Sequence, residues 1–219
     1  MPEIKPRFVF IVSYGRSGST ILQKILNSID GYLIRGENSD IVGHMIKCYQ
    51  AAMQTRNIRN LSTNAGDPWF GAELLGPDKF ARRLARLFVD EVLNVDDDYR
   101  VIGFKEIRYF EKDIGLANRL TFMRRFFAPA KFVFNVRDHN EVVKSGWWAK
   151  QNEENVRDLL RRYDEAMRGY HEANPDCTYI ANYNEYTQNV SNLQGLFNFL
   201  GEEFRPERIF DTMRVKLTH

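Results

Sequence analysis

Phe8-Val9-Phe10-Ile11-Val12-Ser13-Tyr14-Gly15-Arg16-Ser17-Gly18-Ser19-Thr20-Ile21-Leu22 is the stretch on which the architecture turns. Its first part is a continuous β-prone apolar run, Phe8–Ser13, of the kind that is buried on both faces of a sheet. It stops at a glycine-containing turn, and Thr20, Ile21, Leu22, Ile25, Leu26 and Ile29 then follow at helical spacing. The reading is strand, tight loop, helix. Four more short runs have the same character: Tyr32–Ile34 ending at Gly36-Glu37, Val101–Phe104 ending at Lys105, Lys131–Val136 ending at Arg137-Asp138, and Thr178–Ala181 ending near Tyr183. Between them lie amphipathic stretches with apolar positions Phe80, Leu84, Leu87, Phe88 and Val92, then Val156, Leu159, Leu160, Tyr163, Met167 and Tyr170, then Leu193, Leu196, Phe197 and Leu200. Strands alternating with helices predict an α/β fold, a parallel sheet flanked by helices, because parallel neighbours need long crossovers. Ligands of such sheets bind outside the carboxyl ends of the strands, where Arg16, Glu37, Lys105 and Arg137 fall.

The loop Ser13–Thr20 places backbone N–H groups, hydroxyls and a cation at the start of a helix, which is the chemistry of a phosphate cradle. Ser19 and Thr20 also suit simple helix caps. The nucleoside-triphosphatase loop has four residues between its glycines and a lysine before the Ser/Thr. Here two residues separate Gly15 from Gly18 and no lysine precedes Ser19, so a metal-chelated triphosphate is disfavoured.

The rest of the composition narrows the field. With 219 residues and no linker or repeat, the chain reads as a single domain over 1–219, with a candidate substrate lid around 40–76 and Ile41–Met53 as a candidate helix. The 31 basic and 29 acidic side chains leave a net charge of +2, which argues against nucleic acid or a membrane surface as the main partner. Cys48 and Cys177 are far apart and read as two buried free thiols rather than a disulfide or zinc site. The Phe8–Val12 run is too short to span a bilayer, so a cytoplasmic protein is expected ahead of a lumenal domain cut from an anchor.

Phe8–Leu22 resembles the 5′-phosphosulfate loop of sulfotransferases that use 3′-phosphoadenosine 5′-phosphosulfate (PAPS), closest in style to the Arg-Ser-Gly-Ser/Thr form of the carbohydrate enzymes. A second family motif, a strand ending in Arg-Asp followed by a helix with serine eight residues after the arginine, is matched by Phe132–Val136, Arg137, Asp138 and Ser145, with Trp147-Trp148 behind it. Ile102–Lys105 is also similar to the family strand that ends in lysine, and Tyr179–Tyr186 followed by Leu193–Gly201 to its closing strand and helix, whereas the middle insertion and 204–219 match no family pattern. The resemblance implies a phosphate-loop (P-loop NTPase-like) sulfotransferase fold, PAPS as sulfuryl donor with no metal, and a hydroxyl acceptor that is a carbohydrate or another small molecule.

Residue by residue, the resemblance implies that Gly15, Arg16, Ser17, Gly18, Ser19 and Thr20 hold the 5′-phosphosulfate, that Arg137 and Ser145 hold the 3′-phosphate, and that Tyr183 borders the adenine. Arg16 stands where many cytosolic relatives carry lysine, and Lys105 is expected as a second cationic contact to the sulfuryl group. Glu37 resembles the glutamate base of the carbohydrate enzymes, with His44 as an understudy; the histidine expected two residues beyond Lys105 is replaced by Ile107. The bland readings stay open at this point: Arg137 pairing with Asp138 or another carboxylate, Lys105 as a solvated lysine, and Tyr183 in the core. Trp69 and Phe70, in the 57–70 segment, are candidates to border the acceptor. Two rival functions also remain, a small-molecule or nucleotide kinase with Asp138 on magnesium, and a non-catalytic nucleotide-binding protein.

Overall fold

The computed structural model describes residues 7–58, 64–96, 98–110 and 113–214. Each of the five apolar runs is a strand: β1 (Arg7–Val12), β2 (Tyr32–Arg35), β3 (Val101–Glu106), β4 (Ala130–Val136) and β5 (Thr178–Asn182). They form one sheet in the order β2-β3-β1-β4-β5, every pair parallel. Gly103 lies where β3 passes β1, and a Cβ built there would sit 1.7 Å from the Val9 carbonyl oxygen, so only glycine lets the two backbones pair.

Nine α-helices accompany these strands among the described residues, six between strands and three after β5: α1 (Ser19–Asn27), α2 (Ile41–Arg56), α3 (Pro77–Leu87), α4 (Leu116–Phe126), α5 (His139–Val142), α6 (Glu153–Ala173), α7 (Tyr183–Gln188), α8 (Gln194–Leu200) and α9 (Pro206–Arg214). The pleat sends alternate side chains of each strand to opposite faces. Phe10, Val12, Phe104, Phe132 and Phe134 enter one core with residues of α2, α3, α4 and α6. Val9, Ile11, Val101 and Val133 enter the other with residues of α1, α8 and α9. Burial on both sides explains why the strand sequences are apolar runs rather than alternating ones.

The structure corrects several expectations. Helix α3 buries Ala81 and Ala85, followed by Phe88 in the π-helical segment Phe88–Leu93, while Phe80 and Leu87 face solvent. The two small alanines let the helix lie against α2 and α4, with Leu84 packed beside them and Phe80 and Leu87 outward. Cys48 is exposed on α2, so only Cys177 is a buried thiol; both are free. Within the candidate lid, 41–56 is a helix whose Val42, Met45 and Ile46 belong to the core, and residues 59–63 of the same segment lie outside the described set. The tail contributes α9, whose Ile209 is buried, while 215–219 lie outside the described residues. No described helix is long and apolar enough to cross a membrane.

Candidate active site

The turn after β1 is tied down from beneath. Ser13 Oγ is hydrogen-bonded at 2.6 Å to Ser17 Oγ and to the Asn135 carbonyl. With a single proton, Ser13 serves the carbonyl and leaves Ser17 to donate. Asn135 Nδ2 donates to the Ser17 carbonyl at 2.9 Å, and Tyr186 Oη donates to Asn135 Oδ1 at 2.9 Å. Ser13, Ser17 and Asn135 are all fully buried, so Ser17 shapes the loop from within the protein rather than facing a ligand. Tyr14 Oη accepts from the Arg137 amide at 3.0 Å and donates to its carbonyl at 3.2 Å, joining the turn to the end of β4.

The upper side of the turn is a cradle. Gly18 occupies the N-cap of α1 at φ 81° and has no side chain to accept from the first-turn amides, so the capping reading of Ser19 and Thr20 does not hold. A Cβ on Gly15 would lie 2.1 Å from the Trp147 ring, and one on Gly18 would lie 2.2 Å from the Tyr183 ring. Two aromatic faces therefore close on the two glycines. Trp148 Nε1 donates to the Gly15 carbonyl at 2.9 Å, which fastens the strap after α5 to the turn.

At this end of the site Arg16, Arg137, Ser145 and Tyr183 meet. Arg137 Nη1 donates to the Arg16 carbonyl at 3.0 Å, so the guanidinium is turned toward the glycine loop. Its plane lies over Tyr183, 4.4 Å from the ring centroid. Nε and Nη2 donate to Glu141 at 2.9 and 2.6 Å, so the carboxylate partner is Glu141 and not Asp138. Asp138 instead accepts from the Asn140 amide as the cap of α5. Ser145 accepts from Arg16 Nε at 2.9 Å and has no bond to Arg137. It sits in a turn beyond α5, which ends at Val142, so the expected serine-bearing helix is a single turn. Tyr183 likewise opens α7 rather than ending β5.

At the other end Glu37 and Lys105 meet. Gln23 Nε2 and Asn27 Nδ2 of α1 both donate to the Ile34 carbonyl at 2.9 Å, which fixes β2 and the Glu37 that follows it against the helix of the loop. Lys105 is 6% exposed, so it is no solvated surface lysine, and its Nζ lies 2.6 Å from Glu37 Oε1. The other Glu37 oxygen accepts from Arg108 Nη1 at 3.2 Å. Arg108 was not legible as a site residue, because its place beside Glu37 depends on β2 and β3 being neighbours. Its only local signal is position: two residues beyond the strand end, on the rim.

Most of these groups line one open cleft of about 660 Å³, within the usual range of small-molecule sites, while Ser17, Arg108 and Ser145 stand behind its wall. Its walls include Gly15, Arg16, Gly18, Ser19, Thr20, Glu37, Lys105, Arg137, Trp147 and Tyr183. Ile107 is also on the wall, whereas His44 is exposed on α2 and is not. Trp69 and Phe70 are exposed and do not line the cleft. Among the described residues no group of three or more His, Cys, Asp and Glu is placed to hold a metal.

The model of the sulfotransferase family matches residues 6–206. Among solved structures, the sulfotransferase domain from the curacin biosynthetic pathway superposes with a TM-score of 0.52 at 15% identity, covering 97% of this chain and 79% of that one. Mouse sulfotransferase SULT7A1 complexed with PAP superposes with a TM-score of 0.53 at 12% identity, covering 96% of this chain but 63% of that one. No curated protein sequence matches. With the family model spanning nearly the whole sequence, and the phosphate-type turn standing at the carboxyl edge of a parallel sheet, the chain belongs to the sulfotransferase family.

Proposed function

We propose that this sulfotransferase takes PAPS as donor and transfers its sulfuryl group to a hydroxyl of a carbohydrate or another small molecule. The observation that carries this reading is the single cleft in which Arg16, Lys105 and Arg137, the glycine turn and one carboxylate, Glu37, all face the same space. A nucleotide charged at both its 3′-phosphate and its 5′-phosphosulfate needs cationic groups at two separated places, and the cleft has them: Arg137 at one, Lys105 with Arg16 for the other. Trp147 and Tyr183, packed on the two glycines, supply flat apolar surfaces for a base to lie against. The PAP complex of the structurally similar mouse enzyme supports the same choice of donor.

The donor supplies a sulfuryl group on a phosphate leaving group, so one sulfur–oxygen bond forms as another breaks. Glu37 takes the acceptor's hydroxyl proton, because an alcohol is a poor nucleophile at neutral pH. Arg16, Lys105 and the amides of the turn meet the negative charge on the sulfuryl and leaving oxygens. Arg16 acts by charge alone, since a guanidinium does not give up its proton in this range. Lys105 serves two anions, Glu37 and the sulfuryl oxygens, and so links the base to the donor. Arg137, Ser145 and Tyr183 hold the nucleotide in register.

Thermal-shift titration tests the donor: adenosine 3′,5′-bisphosphate (PAP) stabilises the protein more than ADP or ATP do. A larger shift with Mg-ATP overturns the reading in favour of a kinase. Arg137→Ala weakens PAP binding at least about tenfold, the loss of a charge-assisted contact. Glu37→Gln retains PAP affinity and lowers turnover by about 10²-fold or more; an unchanged rate removes the base assignment.

A further inference from the structure

The strand-end pair Glu106 and Arg108 has no part in the chemistry described above. Glu106 closes β3 with its carboxylate 2% exposed. A buried carboxylate is costly unless it is fully hydrogen-bonded. Its Oε2 accepts from the Asn38 and Asp40 amides, both at 3.1 Å. Its Oε1 accepts from the Ile107 amide at 2.7 Å, the Arg108 amide at 3.2 Å and Arg108 Nη1 at 3.0 Å. Burial pushes this carboxyl up, but the backbone donors and the Arg108 charge outweigh it and hold it below its ordinary range.

The two amides on Oε2 flank Ser39, and Ser39 and Asp40 are both left-handed, at φ 56° and 60°. Consecutive non-glycine residues in that region are strained and persist only where something holds them. One oxygen of Glu106 does so. The loop after β2 is wrapped around a buried anion, and the residue just before the wrapped segment is Glu37. Arg108 Nη1 then bridges Glu106 Oε1 and Glu37 Oε2, at 3.0 and 3.2 Å.

We propose that Glu106 and Arg108 are a positioning pair for Glu37: Glu106 folds the 38–40 loop that aims the carboxylate, and Arg108, shared between two anions, sets how strongly that carboxylate holds a proton. The inference rests on Glu37 as the base. Lys105 and Arg108, from β3 and the turn after it, face Glu37, and Arg16 stands on the same cleft wall. Behind Glu106 lie the buried pair Asp40 and Arg119, from the start of α2 and from α4, and the Tyr109 hydroxyl. Removing Arg108 deprives Glu37 of a cation. Removing the charge of Glu106 frees Arg108 to act on Glu37 alone.

The two changes therefore act with opposite sign, which a scaffold role does not require. Carbon-13 carboxyl NMR of glutamate-labelled protein, with Glu37→Gln identifying the resonance, follows the titration directly and needs no acceptor. The Glu37 midpoint moves up in Arg108→Gln and down in Glu106→Gln. Hydrogen exchange of the 38–40 amides rises in Glu106→Gln, while PAP affinity stays within about threefold in both variants. Midpoints that stay still or move together overturn the proposal. If Glu106→Gln does not fold, Arg108→Gln at a partly exposed side chain carries the test alone, and an unmoved midpoint there is enough to reject it. A Glu37→Gln enzyme with full turnover removes the base while leaving these titrations intact, so the two failures are distinct.

Discussion

Gly18 concentrates the demands of the site on one position. It holds φ 81° as the cap of α1, and its missing side chain is the space taken by the Tyr183 ring. Gly18→Ala pays for left-handed backbone and displaces the ring, so urea unfolding registers a loss of about 1–3 kcal/mol, with weaker PAP binding in calorimetry. A stability within about 0.5 kcal/mol of the parent contradicts the geometry. At this scale the sequence told most where a charged residue stands at or just past the end of an apolar run. Glu37, Lys105 and Arg137 were readable because a strand end in a parallel sheet has a known exit direction. Arg108 and Glu141 were not, since each acquires its role from a partner: the first from a neighbouring strand, the second from which way the Arg137 fork turns. The serine eight residues past Arg137 was readable as a motif; its hydrogen bond to Arg16 was not, because that depends on α5 being a single turn.

Elements differ in how much of themselves they write into the chain. All five strands were legible because burial on both faces demands uninterrupted apolar residues. Helix α4 was not singled out: Leu116–Phe126 carries Arg119, Arg124 and Arg125, and the first of these is buried against Asp40 at the start of α2. A charge on the inner face erases the periodicity on which a helix is recognised. Helix α3 was seen with its inner face read from Phe80 and Leu87 in place of Ala81 and Ala85, since alanines carry little hydrophobic signal even when they make the contact. Strand order leaves no local mark at all, except at Gly103. Gly103→Ala has no room beside the Val9 carbonyl, and it must part β3 from β1. Expected is a loss of about 3 kcal/mol or more, seen as a lowered urea midpoint or as insoluble protein. Soluble protein of parental stability contradicts the β1–β3 register.

Across the whole molecule, two buried or half-buried carboxylates stitch distant parts together. Glu106 binds the β2–α2 loop to β3, and Glu202, at the end of α8, accepts from Tyr32, Arg7 and Arg100 on the opposite rim of the sheet. Burial raises both carboxyls, but hydrogen bonds and arginines win and depress them in the folded state. A depressed carboxyl contributes stability that is fully present above its unfolded value, about 4.3, and is lost as pH falls through the folded value. Melting temperature is therefore flat near neutrality and drops below about pH 4.5, and Glu202→Gln flattens part of that drop; an acid limb identical to the parent's contradicts this. The placing of β1 has a further consequence, for biosynthesis. Its two sheet neighbours begin at Val101 and Ala130, so as the chain leaves the ribosome Phe8–Val12 emerges long before either partner exists. Until then it is a bare apolar ribbon with both edges free, open to pairing with another nascent copy. A chaperone that shields the first segment until residue 130 has emerged is expected to raise the soluble yield.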